Sequence, residues 1–426
     1  MGALITRRRL ALLTSFASTQ MAVQIIGFGV GIVLIRHMTQ VDYGHYTLAV
    51  SMVGMASVVT DLGLSAGVMA LGGRLMGDKR SLGAVALDAD ALHRGLALAC
   101  FVVLVPCFTA MLLRQQVSPP EVAILLTLIL STAWLTVRSG LVLSVVRLLG
   151  HVAYQQKLDL AIGASKLAAV LSMSWLASGL DAQLACLVNL AAAIASFVWL
   201  RRHLADQGAL PVTSQGVHSA GLKTHLWKQA PNSIYFVLSS QLALWLIGIF
   251  GNAERVAEVG ALSRLAAAFT VIGAVSAAMV LPYFARQESS SALSAAFVSV
   301  NGFYALLLAA LTGLAVSFPA AILWILGGQY ADLQAELMWM IVSATLAAWG
   351  GTLYGIGCAR GWVLPVWLAV STGVAATVST AALVDVSTVR GSFIINTATA
   401  LSGTLVSFGY LAWRLRRHAL EKASAS

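Results

Sequence analysis

Three charged residues sit inside otherwise apolar stretches: Asp61 in SVVTDLGLSAG, Arg138 in STAWLTVRSGLVL and Lys166 in AIGASKLAAVL. A fixed charge at the centre of a bilayer costs about 2.5 to 3.5 kcal/mol on insertion scales, so each must face protein, water or a ligand. One acid cannot neutralise two bases. The chemistry these three offer is therefore the binding of an anion in a place that water alone does not fill. No catalytic constellation competes with that reading. The histidines His37, His45, His93, His151, His203, His218, His225 and His418 fall in loops or near the ends of apolar runs, without a paired nucleophile or a ligand spacing. Cys100, Cys107, Cys186 and Cys358 lie within apolar runs and form no C-x-x-C, which argues against a metal site. Neither an enzyme nor a cofactor is expected.

The elements that must position these charges follow from composition. Of 426 residues, 59% are hydrophobic and 10% charged, with a mean hydropathy of +0.86, whereas soluble domains carry about 25% charged residues. Twelve apolar runs can be marked: 10–35, 46–72, 92–113, 121–146, 157–178, 182–201, 230–251, 257–284, 302–326, 334–357, 362–384 and 391–413. In lipid every backbone polar group must be paired internally, so spans are helices or closed barrels, and these runs are about twice the length of a barrel strand. The fold class is an all-α polytopic membrane protein of about twelve transmembrane helices. The opening MGALITRRRLALL has the look of a signal peptide, but its apolar run continues to Ile35 without a small-x-small cleavage site, and we read it as the first span.

The net charge of +10 could suggest a nucleic-acid partner, but the positions of the bases argue otherwise. With the N-terminus inside, 19 basic residues fall on the cytoplasmic side and 5 on the other (Arg36, Arg114, Arg255, Arg264 and Arg390), with Arg138 and Lys166 within spans. That asymmetry is the positive-inside pattern. Both termini are expected in the cytoplasm, and no nucleic acid is needed to explain the charge. Residues 202–229 carry Gly208, Pro211, Gly216 and Gly221 and read as a cytoplasmic linker between a six-helix bundle over 1–201 and another over 230–413, followed by a tail over 414–426. The linker's end, AGLKTHLWKQA, is either an amphipathic helix in the headgroup layer or a solvated loop. Two six-span halves share one orientation and can be parallel repeats. Asp42-Tyr43-Gly44 near the second run and Glu258-Val259-Gly260 near the eighth echo each other faintly.

At 1.5 Å per residue, Arg138, Lys166 and Asp61 lie about 12, 14 and 16 Å from the cytoplasmic ends of their runs, which is nearly one level. Facing lipid together they would cost on the order of 8 to 10 kcal/mol. We therefore expect them around a hydrated cavity in the first half, with Arg138 and Lys166 binding substrate and Asp61 serving the cavity or its coupling. A structural ion pair of Asp61 with Arg138 or Lys166 is the plainer alternative. Asn189, Asn232, Gln241, Asn301 and similar buried polar residues are expected to bond between helices, and Pro231, Pro282, Pro319 and Pro365 to mark span ends or bends.

RHMTQVDYGHYTLAVSMVGMASVVTDLGLSAGV in the first half, and WKQAPNSIYFVLSSQLALWLIGIFGNAERVAEVGALSRLAAAF, VLPYFAR and LGGQYADLQAELMWMI in the second, carry a resemblance over nearly the whole chain. The sequence resembles the polysaccharide-repeat-unit (O-antigen) flippases of the multidrug/oligosaccharidyl-lipid/polysaccharide exporter superfamily. The resemblance implies two six-helix bundles around a central cavity. It also implies export of an undecaprenyl-diphosphate-linked oligosaccharide across a bacterial inner membrane by alternating access. Membrane lipids and other polysaccharide-assembly proteins are the further partners it implies. Asp61 corresponds to the aspartate of that family's D-L-G stretch, whereas the roles of Arg138 and Lys166 rest on depth alone. The rivals are an ion-coupled drug exporter of the same superfamily, which calls for acidic cavity groups, and a membrane enzyme modifying polysaccharide, for which no external loop is long enough.

Overall fold

The computed structural model describes residues 2–75, 78–176, 180–209, 216–276, 280–287, 289–362 and 364–423. Helix is the regular structure found in them, and each apolar run of the sequence is built from it. In chain order the helices are α1 (Gly2–His37), α2 (Gln40–Asp61), α3 (Leu64–Gly72), α4 (Lys79–Arg114), α5 (Pro119–Leu148), α6 (Val152–Leu176), α7 (Ala182–Asp206) and α8 (Ser219–Phe250). They continue as α9 (Ala253–Ala266), α10 (Phe269–Val275), α11 (Leu281–Arg286), α12 (Ser290–Ser317), α13 (Pro319–Leu323), α14 (Gln334–Ala359), α15 (Val366–Ala381) and α16 (Val389–Ala423). Among the described residues nine helices are long and apolar enough to cross a membrane, or ten if the bent pair α2–α3 is one span. The shorter apolar helices Gln241–Phe250 and Val366–Ala381 occupy the seventh and eleventh runs.

Short polar connections start these helices by capping. The Thr39 hydroxyl accepts the Asp42 amide at 3.1 Å, and the Asp181 carboxylate accepts the Leu184 amide at 2.7 Å. Asn252 accepts the Arg255 amide at 3.0 Å. Each bond pairs one of the amides that a helix start leaves open. Asp78 accepts the Arg80 amide at 2.9 Å to begin α4, and the Ser81 hydroxyl, then that amide, hold its carboxyl below the usual range. Pro319 opens α13 and Pro282 lies in the first turn of α11, where a missing amide costs nothing, while Pro231 is inside α8.

The chain divides into two compact units, Met1–Gln241 and Leu242–Ser426, so the division falls within α8 and not in the expected linker. Much of that linker is helical: α7 runs on to Asp206, α8 begins at Ser219, and Pro211 lies outside the described residues. AGLKTHLWKQA is amphipathic, as one reading of the sequence had it, but its apolar face meets protein rather than headgroups. Leu222, Leu226 and Ala230, four residues apart, are buried in the core of the N-terminal unit, while Trp227 and Lys228 face out.

In the N-terminal unit α5 is the hub, packed on α2, α3, α4 and α7, while α6 lies on α1 and α7. In the C-terminal unit α14 plays that part, packed on α9, α10, α11, α12 and α16. These are the fourth and the tenth apolar runs, the fourth of each half. The second and eighth runs are both interrupted: α2 and α3 meet at 45°, and α9 gives way to α10 at Ala267 and Ala268.

Without water to drive association, helices in lipid are held by close packing and hydrogen bonds. Between α14 and α16 a Cβ on Gly350 would stand 2.8 Å from Thr404 Oγ1 and 3.5 Å from the Thr404 backbone, whereas one on Gly351 would meet nothing within 4 Å. Thr404 Oγ1 also donates to the Leu346 carbonyl at 2.9 Å. Gly350→Ala should therefore lower stability by about 1 to 3 kcal/mol. Gly351→Ala should be neutral or stabilise by up to about 1 kcal/mol. Thermal unfolding in detergent distinguishes the two, and equal shifts would contradict this packing.

Candidate functional site

The break between α2 and α3 fixes the first of the three charges. Leu62 and Gly63 take φ of 39° and 89°, and the helix resumes at Leu64. A break within apolar surroundings strands carbonyls on one side and amides on the other. Asp61 meets the amides: its carboxylate accepts from the Gly63 amide at 3.0 Å, the Ser65 amide at 3.1 Å and the Ser65 hydroxyl at 2.6 Å. His93 of α4 meets the Thr60 carbonyl at 3.1 Å through Nδ1. A carbonyl can only accept, so Nδ1 carries the proton. The His93 ring is fully buried, its centroid 5.1 Å from that of Trp134, and its Nε2 has no hydrogen-bond partner among the described residues.

Arg138 pairs with Asp90 rather than with Asp61. Its guanidinium donates from Nε to Asp90 Oδ1 at 2.6 Å and from Nη2 to Asp90 Oδ2 at 3.1 Å, a bidentate pair between α5 and α4. The ion pair of Asp61 with Arg138 that the sequence left open is thus replaced by Asp90. The Phe197 ring of α7 lies 4.7 Å from the Arg138 guanidinium carbon. Arg94, one turn beyond Asp90, also reaches that carboxylate, at 3.5 Å. These side chains border a cavity of about 240 Å³ that Arg201 completes from α7. Three arginines face it with one carboxylate, and among the described residues no acid pairs with Arg201.

Neither Asp61 nor Lys166 lines this cavity; the expectation of one chamber for all three charges is corrected to one chamber for Arg138. Asp61 is engaged by its own turn. Lys166 lies on α6 between Gly163, whose Cβ position is 3.3 Å from Ile26, and Leu167, 3.9 Å from the Cβ position of Gly29, and thus beside the seam with α1. Depth along each helix placed the three at one level, but residues at one level on different helices meet only if the helices are neighbours facing each other.

Three functional groups escaped the sequence reading: Asp88, Asp90 and His93. Taking the third span to begin at residue 92 put both aspartates in a loop, whereas α4 starts at Lys79 and both are buried. The signal was present in ALDADALHR, where Asp90 and Arg94 stand four apart in an alanine- and leucine-rich run. Asp88 holds the chain entering α8: its two oxygens accept the Gly216 and His218 amides, each at 2.9 Å.

The C-terminal unit has a larger cavity of a different character, about 440 Å³, bordered by Phe269, Thr270, Ser276, Leu281, Ala348 and Thr352 among others, with no charged residue among the described ones. A buried hydroxyl chain runs along it, Ser276 to Tyr304 at 3.0 Å and Tyr304 to Thr352 at 2.6 Å. Trp349 stacks on Tyr304 and donates to Asn301 at 2.8 Å.

Comparison with known proteins places the fold. No protein-family model matches the sequence, and no curated protein does. Among solved structures, the chain is similar to the inward-facing conformation of a multidrug resistance MATE family transporter of the MOP superfamily, with a TM-score of 0.67, 14% identity, and coverage of 96% of this chain and 100% of that one. It is also similar to a MOP superfamily transporter from Pyrococcus furiosus, described by a reversed polarity of its binding pocket that suggests a different function. There the TM-score is 0.66 at 13% identity, covering 95% of this chain and 94% of the other. The eukaryotic MATE transporter AtDTX14 matches with a TM-score of 0.60 at 14% identity, over 97% and 98%. The fold is that of these transporters of about twelve helices.

Removing one partner of a buried ion pair leaves the other uncompensated, at a cost of about 3 to 5 kcal/mol, somewhat less where water reaches it. Arg138 is 24% exposed and Asp90 12%. Arg138→Ala and Asp90→Ala should each destabilise strongly, and Arg138→Gln with Asp90→Asn should recover most of that loss. Additive effects in a double-mutant cycle, read by thermal unfolding, would contradict the pairing.

Proposed function

We propose that this protein is a membrane transporter that exports an anionic lipid-linked oligosaccharide, an undecaprenyl-diphosphate-linked repeat unit, across a bacterial inner membrane by alternating access. The observation that carries the reading is the charge of the site: three arginines and one carboxylate around a cavity within a helix bundle. A diphosphate is matched by guanidinium groups, which bind phosphate oxygens in bidentate fashion. The transporter fold supports the membrane-transport part. The sequence resemblance supports the choice of cargo. The cavity lies toward the ends of α4, α5 and α7 that the positive-inside count makes cytoplasmic, where a lipid-linked cargo made inside would first meet it.

In this reading Arg138 meets the diphosphate while Asp90 holds the guanidinium in place between transport cycles. Lys166, on α6 and outside this cavity, is a further base for the cargo elsewhere on its path. Asp61 contributes to coupling through the break that it caps, not through contact with cargo.

The second reading is a drug exporter, favoured by the multidrug transporter among the similar structures. Cationic drugs need unpaired acids, and the acid of this cavity is already engaged by two arginines. Export in cells separates the two. The Arg138→Gln/Asp90→Asn pair should keep normal protein levels while surface polysaccharide falls to about a tenth or less, the loss of one or two charge-assisted hydrogen bonds. Lys166→Ala should lower it as well. Unchanged polysaccharide with lost resistance to a cationic drug would instead establish the exporter.

A further inference from the structure

Two of the arginines that line the basic cavity reach the protein surface. Arg94 has 57% of its side chain exposed, and Arg201 is exposed as well. What lies beyond them on the same helix faces is apolar. Leu98 and Val102 follow Arg94 by four and eight residues, on nearly its face, and are 70% and 71% exposed. On α7, Ile194 and Leu187 precede Arg201 by about two and four turns and are also exposed. The cavity takes the early part of α4 and the late part of α7, so the two helices run in opposite directions. Both apolar stripes therefore leave the arginines toward the same side. They extend about 12 Å along α4 and about 21 Å along α7, comparable with half of a hydrocarbon core about 30 Å thick.

A cationic cup with exposed apolar stripes running from its rim has the form of a lipid's complement, phosphate in the cup and chains along the helices. We propose that this cavity receives the phosphate of an anionic lipid from the adjoining leaflet, with Arg94 and Arg201 as the residues that first bind it and Arg138 behind them. At about 240 Å³ the cavity is smaller than the sites that hold drug-sized ligands, enough for a phosphate group but not for a glycan. Asp90 grips Arg138 at 2.6 Å but reaches Arg94 only at 3.5 Å, so Arg94 is the guanidinium that a phosphate draws away. Basic pockets between helices at the cytoplasmic side are where lipid headgroups of this kind are held.

Two lipids share this chemistry, a bilayer phospholipid and the prenyl diphosphate of the proposed cargo. The inference rests on the membrane reading; only if the prenyl diphosphate is the ligand does it deepen the cargo assignment, by naming the place where cargo is received.

Native mass spectrometry of the full-length protein in detergent, with phosphatidylglycerol, phosphatidylcholine or undecaprenyl diphosphate added in turn, tests it. The protein should retain an anionic lipid in preference to phosphatidylcholine. Arg94→Ala with Arg201→Ala should weaken that retention about ten-fold or more. Its unfolding temperature should be unchanged, because both side chains are exposed. Preference for phosphatidylglycerol identifies a resident phospholipid, and preference for the diphosphate identifies the cargo. Equal retention of phosphatidylcholine, or equal binding by the double variant, would overturn the proposal. Loss of polysaccharide export bears on the cargo alone and leaves this binding result standing.

Discussion

An arginine in the middle of an apolar helix must be paired, and the Arg138–Asp90 contact is the pairing on which the N-terminal unit depends. Arg138 projects from α5, the hub of the unit, and Asp90 projects from α4, so the bond ties the hub to its neighbour at a point where neither partner could be left alone. Phe197 closes over the guanidinium from α7. One turn further along α4, His93 reaches the Thr60 carbonyl at the break in the second span. A single stretch of α4, from Asp88 to Arg94, thus anchors the chain entering α8, the central arginine and the interrupted helix. A basic cavity remains beside it because the arginines outnumber the acid.

The second constraint is the unpaired backbone at the α2–α3 break. Asp61 supplies acceptors for the restarting amides and His93 a donor for the Thr60 carbonyl near the end of α2. With these bonds made, a 45° bend can persist in surroundings that would otherwise penalise each open group. Gly63 at φ of 89° makes the turn possible, and a Cβ there would stand 2.7 Å from Gln229 of α8. The D-L-G stretch is therefore a local device of backbone satisfaction, with its carboxylate turned back on its own turn.

Much of the fold was legible from the sequence because hydropathy reports directly on what a bilayer requires: each of the twelve runs is built of helix, and Arg138 was marked as the charge needing a reason. The partner of Arg138 was not legible. Asp90 lies in an alanine-rich stretch ahead of the apolar maximum of its run, and helices that extend past the hydrocarbon core bury residues that hydropathy assigns to loops. Depth along a helix carries no information about which faces meet, so it groups Lys166 with Arg138 although α6 packs mainly on α1 and α7. For the short segment before residue 231 the sequence left helix and loop both open, and the structure has the helix. Its partner was protein and not lipid, which periodicity cannot distinguish.

The two units differ in what their cavities offer, basic in one and uncharged in the other, and the proposed export of an anionic lipid-linked cargo rests on the basic one. The most direct measurement is transport by the purified protein in sealed proteoliposomes, comparing the transbilayer movement of a fluorescent prenyl-diphosphate-linked oligosaccharide with that of a cationic dye. The account predicts movement of the lipid-linked oligosaccharide and none of the dye beyond protein-free vesicles. Dye movement without movement of the lipid-linked cargo would contradict it.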